Sequence, residues 1–597
     1  MRLSATLAAA ALVGCGRSTP SAPEPAAGPA ARVRAIADEY LAARLQAFPE
    51  LGTQFGIPGA RHDRLRDVSA AGERAWQAHE DRFRAELREV DPAKLRDTPE
   101  WVLDGLLREE LEASARLRVC RNRLWTVHPL TGWQATYAAL ASVQPVGTEE
   151  LRRETLARWR ALPALIDGEI ANLREGVRLG YTAPKVNVER VLAGMDRLVE
   201  MPAADLPFAG PANRDSTPAF RAELLEVITS GIAPAMRRYR DYLRDEYLGV
   251  AREAIAVTAN PNGTECYRAA IRRYTTLDLS GDEIHEMGLR QVRAAESAMV
   301  ALARRSYGTD DPRALMRKLE QDPKETFAAR SEVIPAIDTV LERAWRAVPK
   351  AFGIIPRSRV AVEPFPQFQE PSVPLGQYLR AALDGSRPGI YRVNLYLATK
   401  PGARLDIARL TFHEGVPGHH FQLAIAQERS GVHPLTRYLS NSAFAEGWGI
   451  YAERVADELG LYSSDAERLN DLEGLVYGYS TLVMETGMHV KGWSRQQAID
   501  FELAHTTRTP EQAALDVDRR IGWPGQGLSY MLGFLEIQRL RGEAEQALGS
   551  RFDLREFHDR VLEDGVLTLP MLGQKVERWI AQRGSGASPV SAGAGAP

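Results

Sequence analysis

The stretch from Leu151 to Gly180, LRRETLARWRALPALIDGEIANLREGVRLG, sets Leu, Trp, Ile and Val three and four residues apart, with Arg and Glu filling the faces between. That is the roughly 3.6-residue period of an amphipathic helix, and a chain written this way must bury one stripe of each helix against other helices. The same spacing returns in VRAIADEYLAARLQAF and in GDEIHEMGLRQVRAAESAMVALARRS, and Pro and Gly punctuate it at TANPNGTE and LPFAGPANRDSTP. At 597 residues, 44% hydrophobic and 26% charged, the chain is an ordinary globular mixture, long enough for several domain-sized cores. The expectation is a mainly α protein, helical from about residue 31 to residue 583.

The texture changes once, between about Pro356 and Thr399. RSRVAVEPFP and GIYRVNLYLAT are rich in Val, Ile and Tyr, alternate in part, and are bounded by Pro and Gly, so they are the strand candidates. The organisation expected is therefore a helical region over 31–350 and a second region over 351–583, in which a small β-sheet precedes further helices. The tail from 584, GSGASPVSAGAGAP after the last arginine, has the composition of a disordered segment.

The first residues carry an address. Met1-Arg2 followed by LSATLAAAALVG is a short apolar stretch, too short to span a bilayer and of secretory length. It ends in Leu12-Val13-Gly14-Cys15, which resembles the bacterial lipobox, so residues 1–14 read as a lipoprotein signal peptide and Cys15 as a lipidated N-terminus. The Pro/Ala/Ser-rich residues 15–30 read as a disordered tether. The location this implies is the cell envelope, anchored to a membrane on the periplasmic side; Gly16 supplies no inner-membrane retention signal, which points to the outer membrane. The formal net charge of −3 is nearly balanced, and no basic stripe is present to neutralise phosphates, which excludes nucleic acid as a partner. Cys120 and Cys266 remain after Cys15, and sequence leaves open whether they pair.

One short segment carries chemistry. Residues 413–420 read HEGVPGHH. In the HExxH pattern of zinc hydrolases, histidines at i and i+4 lie on one helical face about 6 Å apart along the axis and converge on a metal at roughly 2.0–2.1 Å. Here i+4 is Pro417, and the next histidines come at i+6 and i+7. On an unbroken helix His420 would lie about 10 Å along the axis and His419 about 120° off the face, so neither could share a metal with His413. Pro417 disrupts the helix, however, and Gly415 and Gly418 permit unusual backbone angles, so the intervening residues can bulge and restore convergence. A bare His-Glu is common: His285-Glu286 has Leu289 at i+4 and reads as an exposed helix face.

A third ligand is expected from a later helix. In SNSAFAEGWGIYAERVADELG, Glu446 lies among Ala, Phe, Gly and Trp, where burial of an unpaired carboxylate would be costly and a cation would relieve it. Glu453, two turns further on the same face, could orient a metal-bound imidazole. Glu414, beside the first ligand, is placed to act as general base toward a metal-activated water.

HEGVPGHHFQ, AFAEGWGIYAE, TGMHVKGWSRQQAID and GWPGQGLSYMLG, in this order, resemble the signature blocks of the DUF885 family of bacterial proteins, grouped with gluzincin-type zinc metallopeptidases. The resemblance covers about residues 356–533 well and the helical N-terminal half more loosely. It implies a helical gluzincin-like metallopeptidase architecture with a substrate cleft, Zn2+ held by His413, one of the two adjacent histidines and Glu446, and a peptide or oligopeptide substrate. Gly418-His419 matches the Gly-His dipeptide found at the second ligand of related helices, which favours His419; His420 is the alternative. His489 and Tyr530 resemble the His and Tyr that certain helical gluzincins place opposite the metal as oxyanion donors. Glu485 stands where an aspartate is expected, and Gly527 where alanine is usual. The function implied is zinc-dependent hydrolysis of peptide bonds by an envelope lipoprotein; the alternative is a non-catalytic lipoprotein, a binding or assembly module retaining the fold.

Overall fold

The computed structural model describes residues 28–584 other than 97, 368, 369, 371 and 372. The signal peptide, Cys15, the tether to residue 27 and the tail from residue 585 lie outside the described residues. Amphipathic periodicity is realised as helix almost throughout. Helices of the first half include α1 (Pro29–Ala47), α2 (Ala70–Arg88), α3 (Glu100–Leu117), α4 (Glu149–Arg178), α5 (Gly263–Thr275), α6 (Gly281–Tyr307) and α7 (Val333–Ala347). Helix therefore begins two residues before the expected start at residue 31, with Pro29 in the first turn, where its missing N–H costs nothing. Helix α6 opens on a capping box in which Ser280 and Glu283 satisfy each other's backbone N–H groups.

Three short strands follow: β1 (Ala361–Pro364), β2 (Gly376–Leu379) and β3 (Ile390–Val393). Their spatial order is β1-β3-β2, with β1 parallel and β2 antiparallel to β3, and Gly376 opposite Val393, Tyr378 opposite Tyr391. The sheet is thus wider by one strand than the two candidates suggest, because β2 (GQYL) has no β-branched residue to mark it as a strand. The second candidate also ends early. Asn394, fully buried, accepts from the N–H groups of Tyr396 and Leu397 and turns LYLA into a helical turn.

The second half continues with α8 (Ala403–Glu414), α9 (His419–Glu428), α10 (Ser442–Glu458), α11 (Asp465–His489), α12 (Pro510–Gly522) and α13 (Leu528–Leu548). Helices α6 and α11 pack along their length, as do α10 and α13, and α8 lies against α7, α10 and α11. The buried apolar side chains do not divide at residue 350. One cluster runs from Val33 to Trp579 and joins α1–α3 to the second half, while a separate cluster is confined to Val127–Ala251. A Cys120–Cys266 disulfide ties the segment after α3 to α5, which answers the pairing left open by sequence. No described helix is long and apolar enough to cross a membrane.

Candidate metal centre

Helix α8 delivers His413 and Glu414 as its last two residues and stops at Gly415, whose φ/ψ of −102°/−104° is not helical. The Val416–Pro417 peptide is cis, and α9 starts at His419 after Gly418. The two glycines are required by close packing. A Cβ on Gly418 would lie 1.9 Å from the carbonyl oxygen of His413, and one on Gly415 would lie 2.7 Å from both Leu341 Cδ2 and the carbonyl oxygen of Thr411. The indole N–H of Trp448 donates to the carbonyl of Pro417 at 2.9 Å, so the break is fastened to α10, the helix that carries Glu446.

This path folds His419 back beside His413. The two rings meet edge to face with centroids 4.6 Å apart. Glu446 Oε2 is 3.7 Å from His413 Nε2 and 3.4 Å from His419 Nε2, and one ligand atom from each of the three residues lies within 4.8 Å of the others. The side chains are 10%, 12% and 23% exposed for His413, His419 and Glu446, enough to admit a small ion or solvent. Tetrahedral zinc with bonds of roughly 2.0–2.1 Å sets its ligand atoms about 3.3–3.5 Å apart, so two imidazole nitrogens and a carboxylate at these separations fit such an ion.

Glu453 aims the first ligand. Its Oε1 accepts from His413 Nδ1 at 2.8 Å, which leaves Nε2 facing Glu446 and His419. Arg409 stands 3.7 Å from the other oxygen of Glu453. In the chain alone, burial opposes charge on His413, but hydrogen bonds to Glu446 and Glu453 outweigh it and push the imidazole up to about 10. Burial also opposes the Glu446 anion, and contact with His413 and His419 overcomes it, holding the carboxyl well below the usual range. The pocket is thus built for positive charge beside Glu446.

Two glycines of α10 complete the fit. A Cβ on Gly449 would lie 2.6–2.9 Å from three atoms of the His413 ring, and one on Gly447 would lie 2.3 Å from the backbone of Gly533 in α13. The second contact, with the Ser442–Ser529 hydroxyl pair at 2.8 Å, brackets Glu446 and sets Tyr530 of α13 beside it. Burial and the neighbouring Glu446 charge both raise the Tyr530 phenol above its ordinary value. Arg519, at the end of α12, reaches the Tyr530 hydroxyl at 3.4 Å.

Glu414 is buried and, among the described residues, its carboxylate has no hydrogen-bond or ion-pair partner. Strand β2 passes over it: a Cβ on Gly376 would lie 3.6 Å from Glu414 Cγ. Among the described residues β2 pairs only with β3, so no described strand covers its other edge.

The remaining candidates fall elsewhere. His420 turns away; its Nδ1 meets the Tyr378 hydroxyl at 3.2 Å and its Nε2 donates to the carbonyl of Ser358 at 3.0 Å, so of the adjacent pair it is His419 that joins the cluster. His489 is not brought to it. Both its ring nitrogens are consumed, Nδ1 accepting from the Val257 N–H at 3.0 Å and Nε2 donating to the Arg520 carbonyl at 3.1 Å, and burial drives it down to about 4. It is a neutral pin between α11, α12 and the segment before α5 and has no donor left for an oxyanion. His285 is buried, not exposed, with Nδ1 2.9 Å from the Thr486 hydroxyl. Glu485 and Gly527 compensate each other: Glu485 Oε2 lies 2.7 Å from where a Gly527 Cβ would be, so the longer acid occupies the space an alanine methyl needs. Burial pushes Glu485 up to about 7 while it accepts from the Gly525 N–H. Sequence reasoning missed Gly449, Trp448 and Arg519; the Gly-Trp-Gly run after Glu446 was the available signal for the first two.

Fold and centre together define a mainly helical protein with a small mixed sheet and a His-His-Glu cluster at metal-ligand spacing. Residues 49–576 match the family described as bacterial protein of unknown function, DUF885, and the chain belongs to that family. Among solved structures it is similar to one described as a candidate lipoprotein from Colwellia psychrerythraea, at 24% identity and a TM-score of 0.86 over 93% of this chain and 100% of that one. It is also similar to one described as a candidate lipoprotein of unknown function from Shewanella oneidensis, at 18% identity and a TM-score of 0.69 over 92% and 99% of the two chains. These likenesses are of fold. No curated protein matches the chain.

Proposed function

We propose that this protein is a zinc-dependent peptidase held at the cell envelope by a lipid on Cys15. The observation that carries the reading is the buried Glu414 carboxylate, without a partner among the described residues, next to three convergent ligand atoms of His413, His419 and Glu446. A structural ion needs its ligands satisfied and gains nothing from a free carboxylate at its side; a hydrolytic centre needs both. When bound, zinc supplies an acidified water and an electrophile for a carbonyl oxygen. The chain's own residues supply the rest. Glu414 takes a proton from the attacking water and returns it to the leaving amine. Tyr530, beside Glu446, donates its hydroxyl to the oxygen on which charge develops. The edge of β2 that no described strand covers gives an extended peptide a backbone to align on. The envelope location rests on the Leu-Val-Gly-Cys signal and is supported by the two similar structures, each described as a lipoprotein.

The test is twofold. Elemental analysis of protein purified without chelators should find about one zinc per chain, as three protein ligands and an open position require. A mixed peptide library should be cleaved by this protein, and not after chelation, with the cut sites read by mass spectrometry. Zinc bound with no peptide hydrolysed would remove the enzyme reading and leave the binding-module one.

A further inference from the structure

The centre has an arginine that the proposed hydrolysis does not use. The arginines on either side of Arg519 in the sequence meet carboxylates: Arg508 pairs with Asp516 at 2.8 Å, and Arg520 is consumed by Tyr477, Thr481 and Asp516. Arg519 does not. Among the described residues it has no carboxylate within ion-pair distance; its Nη2 donates to the amide oxygen of Gln526 at 2.8 Å and to the Tyr530 hydroxyl at 3.4 Å, both neutral. Glu485, whose carboxyl burial pushes up to about 7, is spoken for by Gly525 and Tyr267. Among the described residues the Nε and Nη1 groups of Arg519 have no partner, yet they are not among the fully buried atoms, so they face accessible space. Trp523 packs 5.8 Å from the guanidinium and Gln526 is buried, which limits where the side chain can swing.

An immobilised guanidinium with free donors, one hydroxyl away from the candidate oxyanion donor, is a carboxylate receptor: its planar fork matches a carboxylate, and charge-assisted bonds of this kind are strong in a partly desolvated site. We propose that Arg519 binds the free C-terminal carboxylate of the substrate, which makes the protein an exopeptidase acting near the C-terminus of short peptides. The inference rests on the peptidase reading, with which it shares Tyr530. A carboxylate seated on Arg519 lies on the Tyr530 side of the centre, so the bond to be cut is one close to the chain end, and an internal peptide segment leaves the arginine without a counterion.

The experiment uses the zinc-loaded protein and a mixed-sequence peptide library synthesised twice, once with free C-termini and once with C-terminal carboxamides. The wild type should cleave the free acids faster by on the order of 10- to 100-fold, the worth of one hydrogen-bonded charge pair, and at a constant distance from the C-terminus. Arg519→Met should erase that ratio by slowing the acids far more than the carboxamides, with zinc content unchanged, and Arg519→Lys should keep part of it. Equal rates on the two libraries in the wild type would overturn the inference, and that result needs no variant to fold. Arg519→Met slowing both libraries alike would overturn it too, because support of Tyr530 alone predicts that pattern. Cleavage of neither library by the zinc-bound protein is a different result, and it removes the peptidase reading itself.

Discussion

Gly449→Ala adds one methyl to the middle of α10, and the surroundings leave it no room. On the observed backbone it would lie 2.6 Å from Cε1, 2.8 Å from Nε2 and 2.9 Å from Nδ1 of His413. Carbon contacts settle at about 3.5–4.0 Å, so the ring must retreat by roughly 1 Å. It cannot do so freely, because Nδ1 is tied to Glu453 at 2.8 Å and His419 stands edge-on at 4.6 Å. Metal–ligand distances tolerate only about 0.2 Å, so a displacement of this size takes Nε2 away from the sphere it would share with His419 and Glu446. The expected loss of zinc affinity is at least the roughly 10- to 100-fold seen when a residue orienting a ligand is removed. Stability should change less, since alanine favours helix over glycine by about 1 kcal/mol while overpacking costs about 1–3 kcal/mol. Gly542→Ala is the control: it lies in α13 with open space around its Cβ, so it should keep zinc affinity and add up to about 1 kcal/mol of stability. Competition against a chromogenic chelator reads affinity, and thermal unfolding of the metal-free protein reads stability. A folded Gly449→Ala protein that binds zinc as tightly as the parent would refute the assignment of His413 Nε2 as a ligand.

Four further outcomes are expected. Glu414→Gln should retain zinc while turnover falls by about 10² to 10⁴, the usual cost of losing a general base, whereas Glu446→Gln should lose the metal; elemental analysis beside the peptide assay separates the two, and full activity in Glu414→Gln would exclude it as base. Tyr530→Phe should keep zinc and slow the chemical step by on the order of 10² to 10³ in single-turnover measurements, as for one lost oxyanion donor; an unchanged rate would free the phenol of that role. Because burial drives the His489 imidazole down to about 4, the unfolded chain binds its proton first as pH falls. Its contribution is therefore whole above pH about 6.5 and is lost towards pH about 4, up to roughly 3 kcal/mol; urea unfolding across that window should show a flatter slope in His489→Asn, and an equal slope would contradict this. Finally, Cys15→Ala should move the protein out of the membrane fraction, and unaltered fractionation would rule out the lipid anchor.

The sequence by itself determined those features that depend on neighbours close along the chain. Helical content follows from apolar residues three and four apart, and the pairing of His413 with Glu414 and the relation of Glu446 to Glu453 are one- and seven-residue spacings on helices that the structure retains. Two of the three strands were legible for the same reason, and β2 was not, since GQYL contains no β-branched residue and opens on glycine. What the tertiary structure decided depends on partners far along the chain. Whether His419 or His420 turns inward is set by the path of Gly415–Gly418, which is held by Trp448 from a later helix and by packing too close for any Cβ. A histidine in a glycine-flanked block reads the same whether it faces a cleft or the interior, and only the Val257 N–H, 232 positions away, and the Arg520 carbonyl show that His489 is spent on the fold. The converse holds for Arg519, one of the arginines in a charged helix: its lack of a counterion among the described residues is a statement about everything that surrounds it, which no local spacing encodes.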